Sequence, residues 1–438
     1  NRVVLWGASA AVLAVGIGAA RAEIPAAELG QRVEAVMPEV IAWRRDIHQH
    51  PELGNRETRT AKIVADELTK LGIEVRTGVA HTGVVGILKG GKPGPVVALR
   101  TDLDALPVEE KTGLPFASKA TGTYDGKTTP VAHACGHDTH IAMLLGAAKV
   151  LAGERAQIPG TIVFVFQPAE EGPPAGENGG AKMMIEEGAL DRPKVSAIFG
   201  LHVVPGTVGT IAYKSEGFMA AADQIRIHLK GKQTHGAWPW KGIDVVSLGA
   251  TIVSEMNRIA ARTVDVSQMP TILTIATVHA GVRYNIIPED MDMTGTLRTF
   301  DKAERIAIKE RIKTTVQKLA ESYGATASVE FVGSGDVTFN DPALAKASFA
   351  SLEEAAGKGK VNANSPPVMP SEDFSAYQGK IPGVFYHLGA TPDGMNPETS
   401  PPNHSPNFYA NEKVLPLGVR AHVFTAIRFL ERGGLGGK

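Results

Sequence analysis

Three short, largely apolar runs most constrain what this chain can fold into. They span residues 96–99, 161–166 and 195–199, and stretches with helical periodicity separate them. Continuous apolar runs, unlike alternating ones, are typical of strands buried on both faces of a parallel sheet. The sequence therefore predicts an α/β fold with a mostly parallel sheet that is covered by helices on both faces.

Acidic residues or a histidine follow each of these runs. Asp102 and Asp104 follow the first run, Glu170 and Glu171 follow the second, and His202 follows the third. Open α/β sheets bind their ligands at the carboxyl edge of the strands. We therefore expect these side chains to meet at one rim of the sheet.

The pattern changes between residues 222 and 334. Alternating and helical segments follow one another there in the order β-α-β-β-α-β, which is typical of a compact ferredoxin-like domain with one open sheet face. We predict a catalytic domain in two parts, residues 23–221 and 335–438, with this smaller domain inserted between them.

Residues 1–22 have the pattern of a secretory signal. Arg2 precedes an almost uncharged run rich in Ala, Val and Gly, and the segment ends in the small-x-small triplet Ala20-Arg21-Ala22. The alternative is a membrane anchor, since the run approaches the length that spans a bilayer. The glycines and the Ala-x-Ala ending favour cleavage, so we expect a periplasmic or secreted protein without stable membrane association.

The charge and cysteine content of the chain narrow its function. The 438 residues carry a formal net charge of −1, which gives no electrostatic case for nucleic acid as a partner. The single cysteine, Cys135, cannot form an intramolecular disulfide. It can instead be a small buried hydrophobe, a nucleophile or a thiolate metal ligand.

The segment VAHACGHDTH, residues 131–140, places Cys135 between His133 and His137, just before a predicted helix. A helix N-terminus favours the thiolate form of a cysteine. Thiolate, imidazole and carboxylate groups at one rim make up a ligand set for a transition metal. From these residues alone, a cysteine nucleophile with a histidine base stays open as an alternative.

Taken together, the motifs of the chain resemble those of the metal-dependent amidohydrolases that include hippurate hydrolases, auxin-conjugate (IAA-amino acid) hydrolases and N-acyl-L-amino acid amidohydrolases. The resemblance runs from about residue 43 to residue 412 and rests on nine ordered motifs. These motifs are RRDIHQHPELGNRET, LRTDLDALPVEE, HACGHDTHIAMLLGAA, FQPAEEG, FGLHVVPG, THGAWPWKGID, YNIIPE, MPSEDFSAY and NHSPNF.

This resemblance implies two divalent metal ions, for which zinc is the first choice and manganese, cobalt or nickel are alternatives. The implied ligands are Cys135, His137, Glu171, His202 and His404. The thiolate of Cys135 would be shared between the two ions, which would also protect the thiol from oxidation. His140 is not a ligand in this pattern and is expected to pack below the site.

The resemblance also implies roles for the acidic residues near these ligands. Glu170 corresponds to the general base of the family, which takes a proton from the attacking water and returns it to the leaving amine. Asp102, Asp104 and Asp138 are expected to orient the ligands, with loop capping as the alternative for each of them.

Further implied roles fall on the inserted domain. In the family, a histidine at the position of His235 reaches the scissile carbonyl, often from a partner subunit, and helps to hold the developing oxyanion. We therefore expect a homodimer in which the inserted domain serves as lid and dimerisation domain. Asn285 and Arg298 are candidates for binding the carboxylate of the substrate, with a strand-end cap and a surface charge as the alternatives. Arg283 stands where many relatives have a smaller residue, so the size and charge preference of the pocket stays open.

The reaction that the resemblance implies is hydrolysis of the amide bond of small N-acyl or N-aroyl amino acids, which releases a carboxylic acid and a free amino acid. A dipeptidase or carboxypeptidase with the same metal chemistry is the nearest alternative. A periplasmic solute receptor is the alternative from another class, but a receptor needs no paired glutamates beside thiolate and imidazole ligands.

Overall fold

The computed structural model describes residues 23–265 and 270–436. Residues 1–22, for which a secretory signal is predicted, lie outside the described residues. Among the described helices, none combines the length and the apolar character that a membrane span requires.

The helices of the described ranges cluster around two sheets. Their bounds are α1 (Ala26–Gln49), α2 (Thr58–Lys70), α3 (His137–Gly153), α4 (Gly180–Glu186), α5 (Val245–Arg262), α6 (Lys302–Tyr323), α7 (Pro342–Ala356), α8 (Ser375–Gln378) and α9 (Leu415–Glu431). Short 3-10 helices lie at Pro239–Lys241 and Glu412–Val414.

The strands of the described ranges form these two sheets and three two-stranded sheets. Their bounds are β1 (Glu74–Val79), β2 (Gly83–Lys89), β3 (Lys92–Asp102), β4 (Thr121–Tyr124), β5 (Lys127–Pro130), β6 (Pro159–Gln167), β7 (Ala197–Val204), β8 (Ile211–Ala212), β9 (Glu216–Met219), β10 (Ala221–Lys230), β11 (Thr234–His235), β12 (Ile272–Ala280), β13 (Ile286–Ile287), β14 (Asp290–Thr299), β15 (Thr326–Gly335), β16 (Thr338–Asn340), β17 (Val361–Asn362) and β18 (Gly383–Gly389). The two-stranded sheets are β4-β5, β11-β13 and β9-β16.

The larger sheet has eight strands in the order β1-β2-β6-β3-β7-β18-β8-β17. Its four central strands, β6, β3, β7 and β18, run parallel, whereas β1, β2 and β8 join antiparallel. The apolar runs at residues 96–99 and 161–166 lie within β3 and β6, and the run at 195–199 leads into β7. The predicted α/β fold with a mostly parallel sheet is therefore confirmed.

Alternate residues of the central strands enter two separate cores, one on each face of the larger sheet. Leu99 and Phe164 belong to the core that α1, α3 and α9 cover. Ala98 and Val163 belong to the opposite core, which includes residues of α4 and α8. Burial on both faces explains why these strands read as continuous apolar runs in the sequence.

The smaller sheet has four antiparallel strands in the order β12-β14-β10-β15. With α5 and α6, its elements follow along the chain as β-α-β-β-α-β. Ile225 and Ile227 of β10 pack in the core with both helices, while the alternating residues Gln224 and Arg226 are exposed. The helices therefore cover one face of this sheet.

An ion-pair cluster holds the point where the inserted segment leaves and rejoins the larger domain. Arg305 of α6 binds the carboxylate of Asp223 through Nε at 2.7 Å and Nη2 at 2.9 Å, and its Nη1 donates to Asp336 Oδ1 at 2.9 Å. Asp223 lies near the start of β10, and Asp336 follows the end of β15. The guanidinium of Arg305 therefore ties α6 to both chain segments that connect the inserted segment with the larger domain.

Candidate metal centre and active site

The carboxyl edge of the larger sheet gathers all five predicted metal ligands. Ligand atoms of Cys135, His137 and His202 lie within 4.8 Å of one another. Those of Cys135, Glu171 and His404 lie within the same distance of one another. The sulfur of Cys135 belongs to both groups, so it lies where two neighbouring ions could share it.

A glycine makes the close placement of the first two ligands possible. Gly136 separates Cys135 from His137, the first residue of α3, and has a left-handed backbone with φ of 95°. A Cβ atom at this position would lie 2.5 Å from Val203 Cγ2, so a larger residue would displace the neighbouring strand β7. Glycine tolerates both the positive φ and the close approach.

Backbone carbonyl groups orient the two buried histidines. His137 Nδ1 lies 2.7 Å from the Asp104 carbonyl oxygen, and His202 Nδ1 lies 2.8 Å from the Val203 carbonyl oxygen. Because a carbonyl can only accept a hydrogen bond, each Nδ1 must be the donor. Each Nε2 then presents its lone pair to the site, which is how ligating histidines are commonly held. His202 Nε2 lies 3.3 Å from Cys135 Sγ, and His137 Nε2 is buried without a hydrogen-bond partner among the described residues.

The two glutamates diverge because they stand in a turn after β6. Asp104 fixes this turn, since its Oδ1 accepts from the Glu170 N–H and its Oδ2 from the Glu171 N–H, both at 3.0 Å. Glu171 Oε1 lies 2.9 Å from His404 Nε2, whereas Glu170 Oε2 lies 3.8 Å from His137 Nε2. One carboxylate therefore joins the second ligand group, and the other faces the first.

The electrostatics of the site favour a bound cation over a cysteine nucleophile. Burial, together with Glu171 and Glu170, raises the pKa of the Cys135 thiol well above its ordinary value. A catalytic cysteine needs a lowered pKa, so these surroundings argue against the nucleophile alternative. Burial lowers the pKa of His137, but Asp102 and Asp104 outweigh burial and raise it to about 10.

The raised pKa of His137 means that its carboxylate neighbours attract positive charge to this position, which a metal ion could supply in place of the proton. Burial and nearby His140 lower the pKa of His202 well below its ordinary value, and a neutral imidazole is the form that binds metals. Sulfur, nitrogen and carboxylate donors in one buried cluster suit a transition metal. The residues therefore fit the implied metal ions.

Asp102 and His140 form a buried hydrogen-bonded pair next to the predicted ligands. The Val203 N–H donates to His140 Nε2 at 2.9 Å, so His140 Nδ1 carries the proton and donates to Asp102 Oδ1 at 2.8 Å. Both ring nitrogens of His140 are thus occupied, which agrees with its expected place outside the ligand set. Asp102 Oδ2 binds Arg100 Nη1 at 2.9 Å.

A buried acidic cluster beneath Glu170 was not predicted from the sequence. Carboxylate oxygens of Glu170, Glu372 and Asp373 lie within 4.8 Å of one another. Arg100 Nη2 contacts Glu372 Oε1 at 3.0 Å and Asp373 Oδ1 at 2.9 Å. Burial, followed by Glu372, Glu171 and Asp373, raises the pKa of Glu170 well above its ordinary value. The available signal was Arg100 itself, a charged residue that directly follows the apolar run 96–99.

Asp138 lies apart from the predicted ligands, contrary to the expectation that it orients one of them. Its Oδ2 lies 2.8 Å from Arg44 Nε and 2.8 Å from His48 Nδ1, and both partners belong to α1. The expectation that Asp138 orients a ligand is therefore wrong. Its side chain instead links α3 to α1. Asp104, by contrast, does contact the ligand segments.

The predicted residues of the inserted domain do not join the ligand cluster within one chain. His235 pairs with Ile286 between β11 and β13, and its Nδ1 accepts from the Ala237 N–H at 3.0 Å. Asn285 lies beside it, since its carbonyl oxygen accepts from the Gly236 N–H at 2.8 Å. Arg298 lies in β14 opposite Ala222. Among the described residues, the contacts recorded for these three side chains and their strands stay within the inserted segment.

Comparison with known proteins gives consistent matches over most of the chain. The model of peptidase family M20/M25/M40 matches residues 98–428. Thermostable carboxypeptidase 1 of Saccharolobus solfataricus is 40% identical over 395 residues, which cover 89% of this chain and 95% of that protein. N-acetylcysteine deacetylase of Bacillus subtilis is 36% identical over 394 residues, covering 90% and 97%. A solved Bacillus subtilis structure, described as a dinuclear metal binding peptidase from the M20 family, has a TM-score of 0.75 and 34% identity and covers 91% and 99%.

Proposed function

Since this chain belongs to peptidase family M20/M25/M40 and is therefore a hydrolytic metalloenzyme that acts on amide bonds, we propose that its five predicted ligands form the active site. The reaction is hydrolysis of the amide bond of N-acyl amino acids, with release of a carboxylic acid and an amino acid. The observation that carries the proposed site is the sulfur of Cys135, which belongs to both groups of ligand atoms.

The proposed cofactor is a pair of divalent ions. Their ligands are Cys135, His137, Glu171, His202 and His404. Zinc suits mixed sulfur, nitrogen and oxygen ligation best, with manganese, cobalt or nickel as alternatives. When bound, such ions supply Lewis acidity that polarises the amide carbonyl and activates water for attack. A related solved structure is described as dinuclear, which supports the pair.

Glu170 is proposed as the group that moves the proton. Its carboxylate faces His137 from the turn that Asp104 fixes, and burial together with its acidic neighbours raises its pKa. A carboxylate with a raised pKa is suited to take a proton from the attacking water and to pass it to the leaving amine. Glu171 differs in its role, since its carboxylate lies against His404 as a ligand.

The inserted domain is proposed to complete the site from a second chain of a homodimer. His235 would stabilise the oxyanion, and Asn285 and Arg298 would bind the carboxylate of the substrate. In support, Trp238 and Trp240 next to His235 are 51% and 75% exposed, which offers an apolar surface for a partner. We further propose export to the periplasm or secretion with removal of residues 1–22, on the strength of their sequence pattern.

A carboxypeptidase activity is the second candidate, because relatives at 40% identity carry that name. Both activities cleave an amide bond beside a free carboxylate, so a matched panel of N-acyl amino acids and dipeptides separates them. We expect release of the amino acid from N-acyl substrates with kcat/KM at least about tenfold above that for dipeptides. A preference for dipeptides would favour the carboxypeptidase, and hydrolysis of neither class would overturn the proposed function.

A further inference from the structure

We propose that a small pocket beside Glu171 binds the acyl group of the substrate and selects short acyl chains, such as acetyl and propionyl, over benzoyl. This inference rests on the proposed function, because it assigns one half of the N-acyl amino acid to one part of that same site. Three properties of the pocket carry the inference: its position, its charge and its volume.

The pocket shares Glu171 with the predicted ligand cluster. Asp104 and Gly172 also line it, so a group bound there lies beside the proposed metal site. Leu53 and Leu106 also line the pocket, as does Tyr124 at the tip of the β4–β5 hairpin. All of these residues belong to the larger domain, whereas Asn285 and Arg298, the proposed carboxylate binders, belong to the inserted domain.

The charges around the pocket favour a neutral occupant. Its acidic residues outside the proposed ligand set, Asp104 and Asp125, would repel the carboxylate of an amino acid. Arg56 is the basic residue of the lining, but Glu177 holds it through contacts of 2.5 and 3.1 Å. Of the two halves of an N-acyl amino acid, the uncharged acyl group is therefore the one that this pocket accepts.

The volume of the pocket limits the size of that group. It measures about 60 Å³. An apolar cavity of about 150 Å³ accepts a benzene molecule, and this pocket has less than half of that volume. One methylene group too many in an apolar pocket costs about 10–200-fold in kcat/KM. A benzoyl group is larger than an acetyl group by more than one methylene group, so we expect the pocket to disfavour it.

The test is a series of substrates that differ only in their acyl group. The kcat/KM of the metal-loaded enzyme is measured for N-acetyl, N-propionyl, N-butanoyl and N-benzoyl derivatives of one amino acid. We expect a decrease of at least about tenfold from acetyl to benzoyl. The variants Leu106→Ala and Tyr124→Ala widen the pocket, and we expect each to raise the benzoyl-to-acetyl ratio about tenfold.

The control is Phe349→Ala on α7, which truncates an aromatic side chain of similar exposure, 36% against 45% for Tyr124, in a helix outside the pocket. The benzoyl-to-acetyl ratio of kcat/KM for Phe349→Ala should equal that of the wild type. Tyr124 lies at an exposed hairpin, so its variant reports on the pocket even if Leu106→Ala fails to fold. A wild type that cleaves benzoyl as well as acetyl substrates would overturn the assignment. Leu106→Ala and Tyr124→Ala variants with an unchanged benzoyl-to-acetyl ratio of kcat/KM would overturn it too. Absence of hydrolysis for the whole series would instead overturn the proposed function.

Discussion

Asp104 holds three parts of the site at once. Its carboxylate accepts the backbone N–H groups of Glu170 and Glu171, and its carbonyl oxygen accepts from His137 Nδ1. Neighbouring residues of a strand would point to opposite faces, so only the turn that Asp104 fixes lets both glutamates face the cluster. The two glutamates can therefore have different roles although they are adjacent in sequence.

Two conservative variants distinguish these roles. We expect Glu171→Gln to lose both metal and activity, because it removes a charged ligand. Glu170→Gln should keep metal content and substrate affinity near wild type but lose about 10²–10⁴ in kcat, because it removes the group that moves the proton. Elemental analysis and turnover are measured on both variants. If Glu170→Gln loses metal and Glu171→Gln keeps it, the roles of the two glutamates are reversed. If both variants stay active, neither role holds.

The proximity of the five predicted ligands could be anticipated because each lies in a short motif, but their neighbours could not be predicted. Arg100 contacts Glu372 and Asp373, more than 270 residues away, and no local pattern announces that contact. The expectation for Asp138 failed for a geometric reason. Successive residues of a helix point about 100° apart, so a residue next to the ligand His137 faces α1 instead of the metal site.

At the level of elements, buried charges join α1 to α3. Arg44 and Asp138 are each about 1% exposed, and Arg44 also contacts Glu412 at 3.3 Å. Removing one member of such a pair leaves the other buried without its partner. We therefore expect Asp138→Asn to lower the free energy of unfolding by about 3 kcal/mol at neutral pH. The control Lys62→Ala, which breaks the exposed pair with Asp66, should cost less than about 1 kcal/mol.

This contribution should depend on pH. Burial raises the pKa of Asp138, but Arg44 and His48 outweigh burial and lower it well below its usual range. A carboxylate with a depressed pKa stabilises the fold above its unfolded value of about 3.9 and loses this effect as the pH falls below that value. Denaturant unfolding of chelator-treated wild type and Asp138→Asn should give a smaller difference at pH 3 than at pH 7. A constant difference would contradict this account of the pair.

The central strands could be predicted because burial on both faces gives them an unbroken apolar signal. The last two strands of the larger sheet, β8 and β17, are two residues long, which is too short for any periodicity to show. The pairing of β11 with β13, which places His235 next to Asn285, depends on segments about 50 residues apart. Such pairings follow from tertiary packing, which short-range patterns do not report.

At the scale of the whole molecule, we propose that a second chain completes the site. Mixed dimers test this directly, because a partner can supply His235 to a site that has an intact Glu170. His235→Ala and Glu170→Gln should each be nearly inactive alone. Random mixing gives half heterodimers with one complete site each, so we expect about a quarter of wild-type activity. Each variant mixed with itself is the control.

If mixtures of folded, dimeric variants do not regain activity, His235 does not act at the site of the partner chain. Full activity of His235→Ala alone would leave this residue without a role in turnover. Metal content measured on the same samples shows whether the ligand cluster is intact in both variants.

Under the proposed function, hydrolysis depends on metal ions bound at the cluster around Cys135. The most direct measurement is turnover of an N-acyl amino acid, followed together with the metal content per chain, while Zn²⁺, Mn²⁺, Co²⁺ or Ni²⁺ is returned to chelator-treated protein. We predict no turnover without metal and a recovery that saturates at about two ions per chain for at least one of these metals. Undiminished turnover in metal-free protein would contradict the claim.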